Sequence, residues 1–260
     1  MLFPMPSTQE IMQGLLIFLR VSALMLFVPV LGNQIVPQPV KLGLIALLTI
    51  LLYPVVSPQI MPIPESPVMF ILLAVQEILI AGMLALLANL IFAAVQFAGQ
   101  LLSLQMGMAI ANVFDPATSA QGAVVAQAAS VLAMLMWLAV GAHHAFILAL
   151  ADSFTILPIG HTWSIHGWDV INDAASAMFV LAIRLSAPVL VLLFFIYAAL
   201  GLISRAVPQI QVFFVSFPLT VGLGLLALSM ALPAFMSLVH DGFQSLSQQL
   251  PWMLRNLAGH

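Results

Sequence analysis

The sequence has no cysteine, which excludes disulfides and thiolate metal sites but leaves the compartment open. It is almost as poor in charge: five Lys or Arg and eight Asp or Glu among 260 residues, 5% of the chain. A soluble domain carries about a quarter charged residues, so this chain cannot clothe a water-soluble surface of its size. With a net charge of −3 it has no basic patch for nucleic acid and no Lys/Arg cluster for anionic lipid. No Walker A motif, nucleophile elbow or HExxH pattern is present, so no catalytic machinery and no cofactor are expected. Energy for any transport must therefore come from elsewhere. His143 and His144 are sequence neighbours and point to different helical faces, and His161 and His166 lack acidic residues at ligand spacing. No metal site is expected.

What the chain has instead is apolar sequence, 63% of it, with a mean hydropathy of +1.20. No polar stretch is long enough for a separate globular domain, so a single membrane unit is expected. Six apolar segments, at about 11–31, 42–56, 68–95, 124–151, 174–203 and 212–239, read as helices. Most reach the roughly 20 residues that span a bilayer. Pro188, Pro218 and Pro233 predict kinks or boundaries in the last two. The first segment follows no positive n-region and contains Arg20, and reads as a retained helix rather than a cleaved signal.

The connectors differ in character. Residues 54–67 hold Pro54, Pro58, Pro62, Pro64 and Pro67 and are expected to be extended. Residues 152–173 carry Asp152, Asp169 and Asp173 with Trp163 and Trp168, and read as an exposed loop with aromatics near an interface. If the six segments alternate in direction, Lys41 and Arg205 fall on one side, and the positive-inside rule places that side in the cytoplasm and both termini outside.

Charges within apolar runs need partners. Arg20, Glu77, Arg184 and Arg205 lie in or beside such runs. A charge at the centre of a spanning helix costs about 2.5–3.5 kcal/mol on insertion scales. They are read as ion pairs, within the chain or with partner subunits, and Arg20 with Glu77 is one possible pair. Alternatively, Glu77 and Arg184 would couple ions in a small secondary permease.

The most unusual stretch is 96–121. Gly99, Ser103, Gly107 and Ala111 recur every four residues and, on a helix, make a small-residue stripe for close helix packing. Gln96 and Gln100 share a neighbouring face. The stripe fits packing inside the chain as well as packing between subunits. Asp115-Pro116 reads as a helix cap with proline at the first helical position. Between them, Met106, Gly107, Met108, Ala109, Ile110, Ala111, Asn112, Val113 and Phe114 form an apolar, deformable run. Such a run either packs passively or obstructs a passage and yields to something wide.

Residues 105–118, QMGMAIANVFDPAT, resemble the central motif of the FliR family of flagellar type III export-gate subunits. Residues 36–44, VPQPVKLGL, resemble that family's first loop and second helix, and residues 199–220 resemble its C-terminal hairpin. The three stretches occur in register over essentially the whole chain. The resemblance implies an all-α membrane protein of about six long, partly kinked helices in antiparallel hairpins. It implies one domain over 1–260, with about 1–185 FliP-like and about 186–260 a FliQ-like hairpin. It also implies a hetero-oligomeric export gate in the bacterial inner membrane, at the flagellar basal body. There one copy joins FliP and FliQ subunits, contacts FlhB, works with FlhA, and passes unfolded protein cargo. On this resemblance Met106 to Asp115 corresponds to the loop that plugs the closed pore, with Phe114 its only aromatic.

Overall fold

The computed structural model describes residues 7–32, 36–60, 62–63, 66–108, 124–160, 168–206 and 212–258. These residues form eight α-helices and no strand: α1 (Thr8–Phe27), α2 (Pro29–Gly32), α3 (Gln38–Val56), α4 (Pro67–Gln105), α5 (Val124–Ala139), α6 (Ala142–Ile156), α7 (Trp168–Ala206) and α8 (Val212–Ala258). Five of the described helices are long and apolar enough to cross a membrane, and a sixth span results if α5 and α6 are one broken crossing. The chain is an all-α membrane protein.

Helix boundaries follow local chemistry. Ser7 caps α1 through a capping box, its hydroxyl accepting from the Glu10 amide at 3.3 Å while its own amide donates to the Glu10 carboxylate at 2.6 Å. The helix stops at Val28, which is extended as a residue before proline must be, and Pro29 starts α2. Prolines at the start of α3 lack only amides that would have had no helical partner. Lys41 lies inside α3 rather than in a loop. Its side chain is buried and its Nζ donates to the carbonyl of Gly32 at 3.0 Å, placing a cation at the carbonyl end of α2.

Several boundaries differ from the sequence reading. The proline-rich connector is not extended from Pro54: α3 continues through Pro54 to Val56, and a 3₁₀ turn follows at Ser57–Gln59. So close to the helix end, a proline disturbs little of the hydrogen-bond ladder. Beyond the turn, the Gln9 carboxamide both donates to the Ile63 carbonyl (2.8 Å) and accepts from its amide (3.1 Å), fixing the connector to α1. The fourth apolar segment is two helices, broken at Gly141, which adopts the left-handed φ of 72° that glycine tolerates best. Asp152 is within α6, and Asp169 and Asp173 are within α7, so none of these aspartates lies in a loop. Residues 240–258, outside the predicted segments, are helical, and α8 runs through Pro218, Pro233 and Pro251.

The chain divides into two compact units. One comprises Met1–Leu90, Gly141–Ala174 and Gln244–His260. Its buried residues include Leu16, Ile17 and Val21 of α1, Ile80 and Leu84 of α4, Leu150 and Phe154 of α6, and Leu250 and Leu254 of α8. The other comprises Ile91–Val140 and Ala175–Phe243. It is organised around Phe92, Trp137 and Phe243, whose ring centroids lie 5.3–5.7 Å apart in tilted and edge-on geometries favoured by aromatic quadrupoles.

Candidate functional site

Two constellations stand out, one in each unit. In the first, Arg20 of α1 and Glu77 of α4 are both wholly buried and form an ion pair through Nε and Oε2. The sequence proposed this pairing only if the helices met. The rest of the guanidinium is also partnered. Nη1 donates to the Ser153 carbonyl at 2.9 Å and lies 3.2 Å from its hydroxyl, and Nη2 donates to the Leu157 carbonyl at 3.0 Å. Ser153 and Leu157 lie at the C-terminal end of α6, where the helix dipole is negative, and the Ser153 carbonyl also accepts from the Leu157 amide at 2.9 Å. The Phe154 ring lies 4.3 Å from Arg20 Cζ and adds a cation–π contact. Arg20 therefore staples α1, α4 and α6 together. The other carboxylate oxygen of Glu77, Oε1, has no hydrogen-bond partner among the described residues.

The remaining charged candidates stand differently. Arg184 and Arg205 are exposed on the chain taken by itself, so their partners are not supplied by burial within it. Charge burial, predicted for four residues, is realised inside the chain for Arg20 and Glu77.

The second constellation is the end of α4. Gly99 lies where a β-carbon would meet Ala126 Cα at 2.5 Å and Ala126 N at 3.0 Å, so α4 and α5 approach backbone to backbone there. Ser103 is buried and its hydroxyl donates to the Gly99 carbonyl at 2.9 Å, satisfying itself within the helix. The stripe does not continue as one helical face. The helix ends at Gln105, and Gly107 has a φ of 81°, the left-handed conformation of a helix terminator. Its amide donates to the Leu104 carbonyl at 3.0 Å, and the Met106 amide to the Leu102 carbonyl at 2.8 Å. Met106 is fully buried in a cluster with Leu102, Val125, Val189, Leu193, Ile196 and Leu200, and Met108 packs against the same cluster. Ala109, Ile110, Ala111, Asn112, Val113, Phe114, Asp115 and Pro116 lie outside the described residues.

Two side chains that the sequence reading passed over complete this end. The Tyr197 hydroxyl of α7 donates to the Gln105 carbonyl at 2.5 Å, and the Thr220 hydroxyl of α8 lies 3.1 Å from the Met106 carbonyl. Thr220 is buried whereas Tyr197 is exposed, and no feature of the sequence singled out either.

The chain matches the family model described as bacterial export proteins, family 1, over residues 11–246. It is 33% identical over 233 residues to the flagellar biosynthetic protein FliR of Bacillus subtilis (strain 168), covering 88% of this chain and 89% of the relative. It is 36% identical over 217 residues to the FliR of Pectobacterium carotovorum subsp. carotovorum, covering 83% and 82%. With the FliR of Escherichia coli (strain K12) it shares 35% identity over 216 residues, again 83% and 82%. A long-helical membrane chain whose central motif follows the end of α4, and which aligns with these proteins over most of its length, belongs to the FliR family of bacterial export proteins.

Proposed function

We propose that this protein is a non-enzymatic subunit of the flagellar type III protein export gate in the bacterial inner membrane, at the flagellar basal body. One observation carries the assembly reading. On α7, Arg184 is exposed on the chain by itself among exposed Phe179, Val180 and Ile183, and a charge on such an apolar face is costly against lipid. A partner subunit meeting this face would supply a counter-charge there. FliP-like and FliQ-like subunits fit this role, with FlhB and FlhA as further contacts, and residues of about 186–260 would act as the FliQ-like hairpin.

In this reading the segment beginning at Met106 and ending at Phe114 obstructs the resting pore against ion leakage and yields to unfolded cargo. Its support is that Met106 and Met108 are thioether side chains packed at the end of a rigid helix, immediately next to a left-handed glycine. Asp115 and Pro116 would anchor its far side as a helix cap. The permease alternative has less support, because Glu77 is engaged by Arg20 in a multiply hydrogen-bonded structural cluster. The test is to delete residues 107–112 and measure conductance of the purified complex in planar bilayers, with secretion in cells. The reading expects an assembled complex with raised conductance. An assembled complex as tight as wild type would place the seal elsewhere.

A further inference from the structure

A hydroxyl latch holds the root of the central motif. The last carbonyls of a helix have no partner in the helix itself, and a buried one must find a donor elsewhere. At the end of α4 two successive carbonyls are met by side chains from two other helices of the same unit. Tyr197 Oη of α7, a side chain 41% exposed, donates to the carbonyl of Gln105 at 2.5 Å in an exposed contact. Thr220 Oγ1 of α8 is buried, 3.1 Å from the carbonyl of Met106 and 3.2 Å from the carbonyl of Phe217, and its one proton is shared between them. Packing reinforces the hydrogen bonds. Met106 is wholly buried, and its Cγ and Cε approach the position of a β-carbon on Gly224 to 2.8 and 2.9 Å, so the absent side chain at 224 makes room for the methionine. The next residue, Gly107, turns the chain out of the helix with φ 81°.

We propose that Tyr197 and Thr220 are positioning residues that fix the path by which the chain leaves α4, so that the C-terminal helices α7 and α8 hold Gly107 and Met108 at the start of the segment that follows. A shift of either helix would then be transmitted to that segment at its root. The consequence for sealing rests on the plug reading of that segment, whereas the latch itself does not.

Because the chain contains no cysteine, a Met108→Cys substitution gives a single reporter in this subunit. The experiment measures the maleimide labelling rate of that cysteine in the purified export complex, with conductance recorded in parallel, in backgrounds carrying Tyr197→Phe, Thr220→Val, both, or Thr220→Ser. Loss of the buried Thr220 hydrogen bond is expected to raise labelling about fivefold, loss of the exposed Tyr197 bond about twofold, and loss of both about tenfold. Thr220→Ser keeps the hydroxyl and is expected to label at the parental rate. Unchanged labelling in the double variant would overturn the latch. So would equal acceleration by Thr220→Ser and Thr220→Val, which would assign the effect to packing. Should Thr220→Val prevent assembly, Tyr197→Phe decides alone, since Tyr197 is partly exposed and loses only its hydroxyl. Faster labelling with unchanged conductance would keep the latch and remove the plug.

Discussion

Replacing Glu77 with alanine removes the carboxylate that meets Arg20 and leaves a wholly buried guanidinium behind. Breaking a buried pair in this way costs about 3–5 kcal/mol. The structure argues for the lower end. Arg20 would keep the carbonyls of Ser153 and Leu157, the Ser153 hydroxyl and the Phe154 ring, so most of its donors remain engaged. About 3 kcal/mol is a factor of roughly 150 in the folded-to-unfolded ratio. For a chain of this length it corresponds to a melting shift of about 6–12 °C. The assay is thermal unfolding of the detergent-purified complex, with yield per cell as a second readout. Arg20→Met with Glu77→Leu should recover part of the loss, because no charge is then stranded. The recovery should be incomplete, because the Leu157 carbonyl loses its donor. If Glu77→Ala melts like wild type, the pair contributes nothing to stability and its burial has another purpose.

The other predictions follow from the same contacts. Gly99→Leu should reduce complex yield through overpacking of about 1–3 kcal/mol, and even Gly99→Ala should destabilise, since a β-carbon meets the Ala126 backbone. Gly201→Ala, with open space around it in an exposed stretch of α7, should instead be neutral or raise the melting temperature slightly. Lys41→Met should destabilise by about 1 kcal/mol in the same melting assay, because the Gly32 carbonyl loses its donor. Arg184→Ala should leave the folding of the chain unaffected and lower the yield of the assembled complex, because Arg184 is exposed on the chain itself.

Much of this was legible in the sequence because hydropathy reports helices directly. The apolar segments and the Arg20–Glu77 complementarity both came from residue type and position. The extents of the helices did not. Residues 240–258 are polar enough to fall outside an apolar window, yet Phe243, Leu246, Leu250 and Leu254 recur at helical spacing and are buried. Proline misled at Pro54, because a helix tolerates proline within its last turn. The stripe at Gly99, Ser103 and Gly107 was a pattern of four-residue spacing, and spacing alone does not reveal where a helix stops. The left-handed Gly107 ends it. Tyr197 and Thr220 were invisible as site residues, since a hydroxyl in a helix usually bonds its own preceding turn, as Ser103 and Ser186 do. Only the tertiary placement of α7 and α8 gives them carbonyls of another helix.

The central claim is that this chain is one part of a larger export gate and depends on its neighbours. The most direct measurement is the mass and stoichiometry of the complex purified in mild detergent through a tag on this chain. The account predicts one copy of this chain bound to several copies of other apolar membrane subunits, and no stable folded form when the chain is expressed without them. A monodisperse, folded monomer obtained without partners would contradict it.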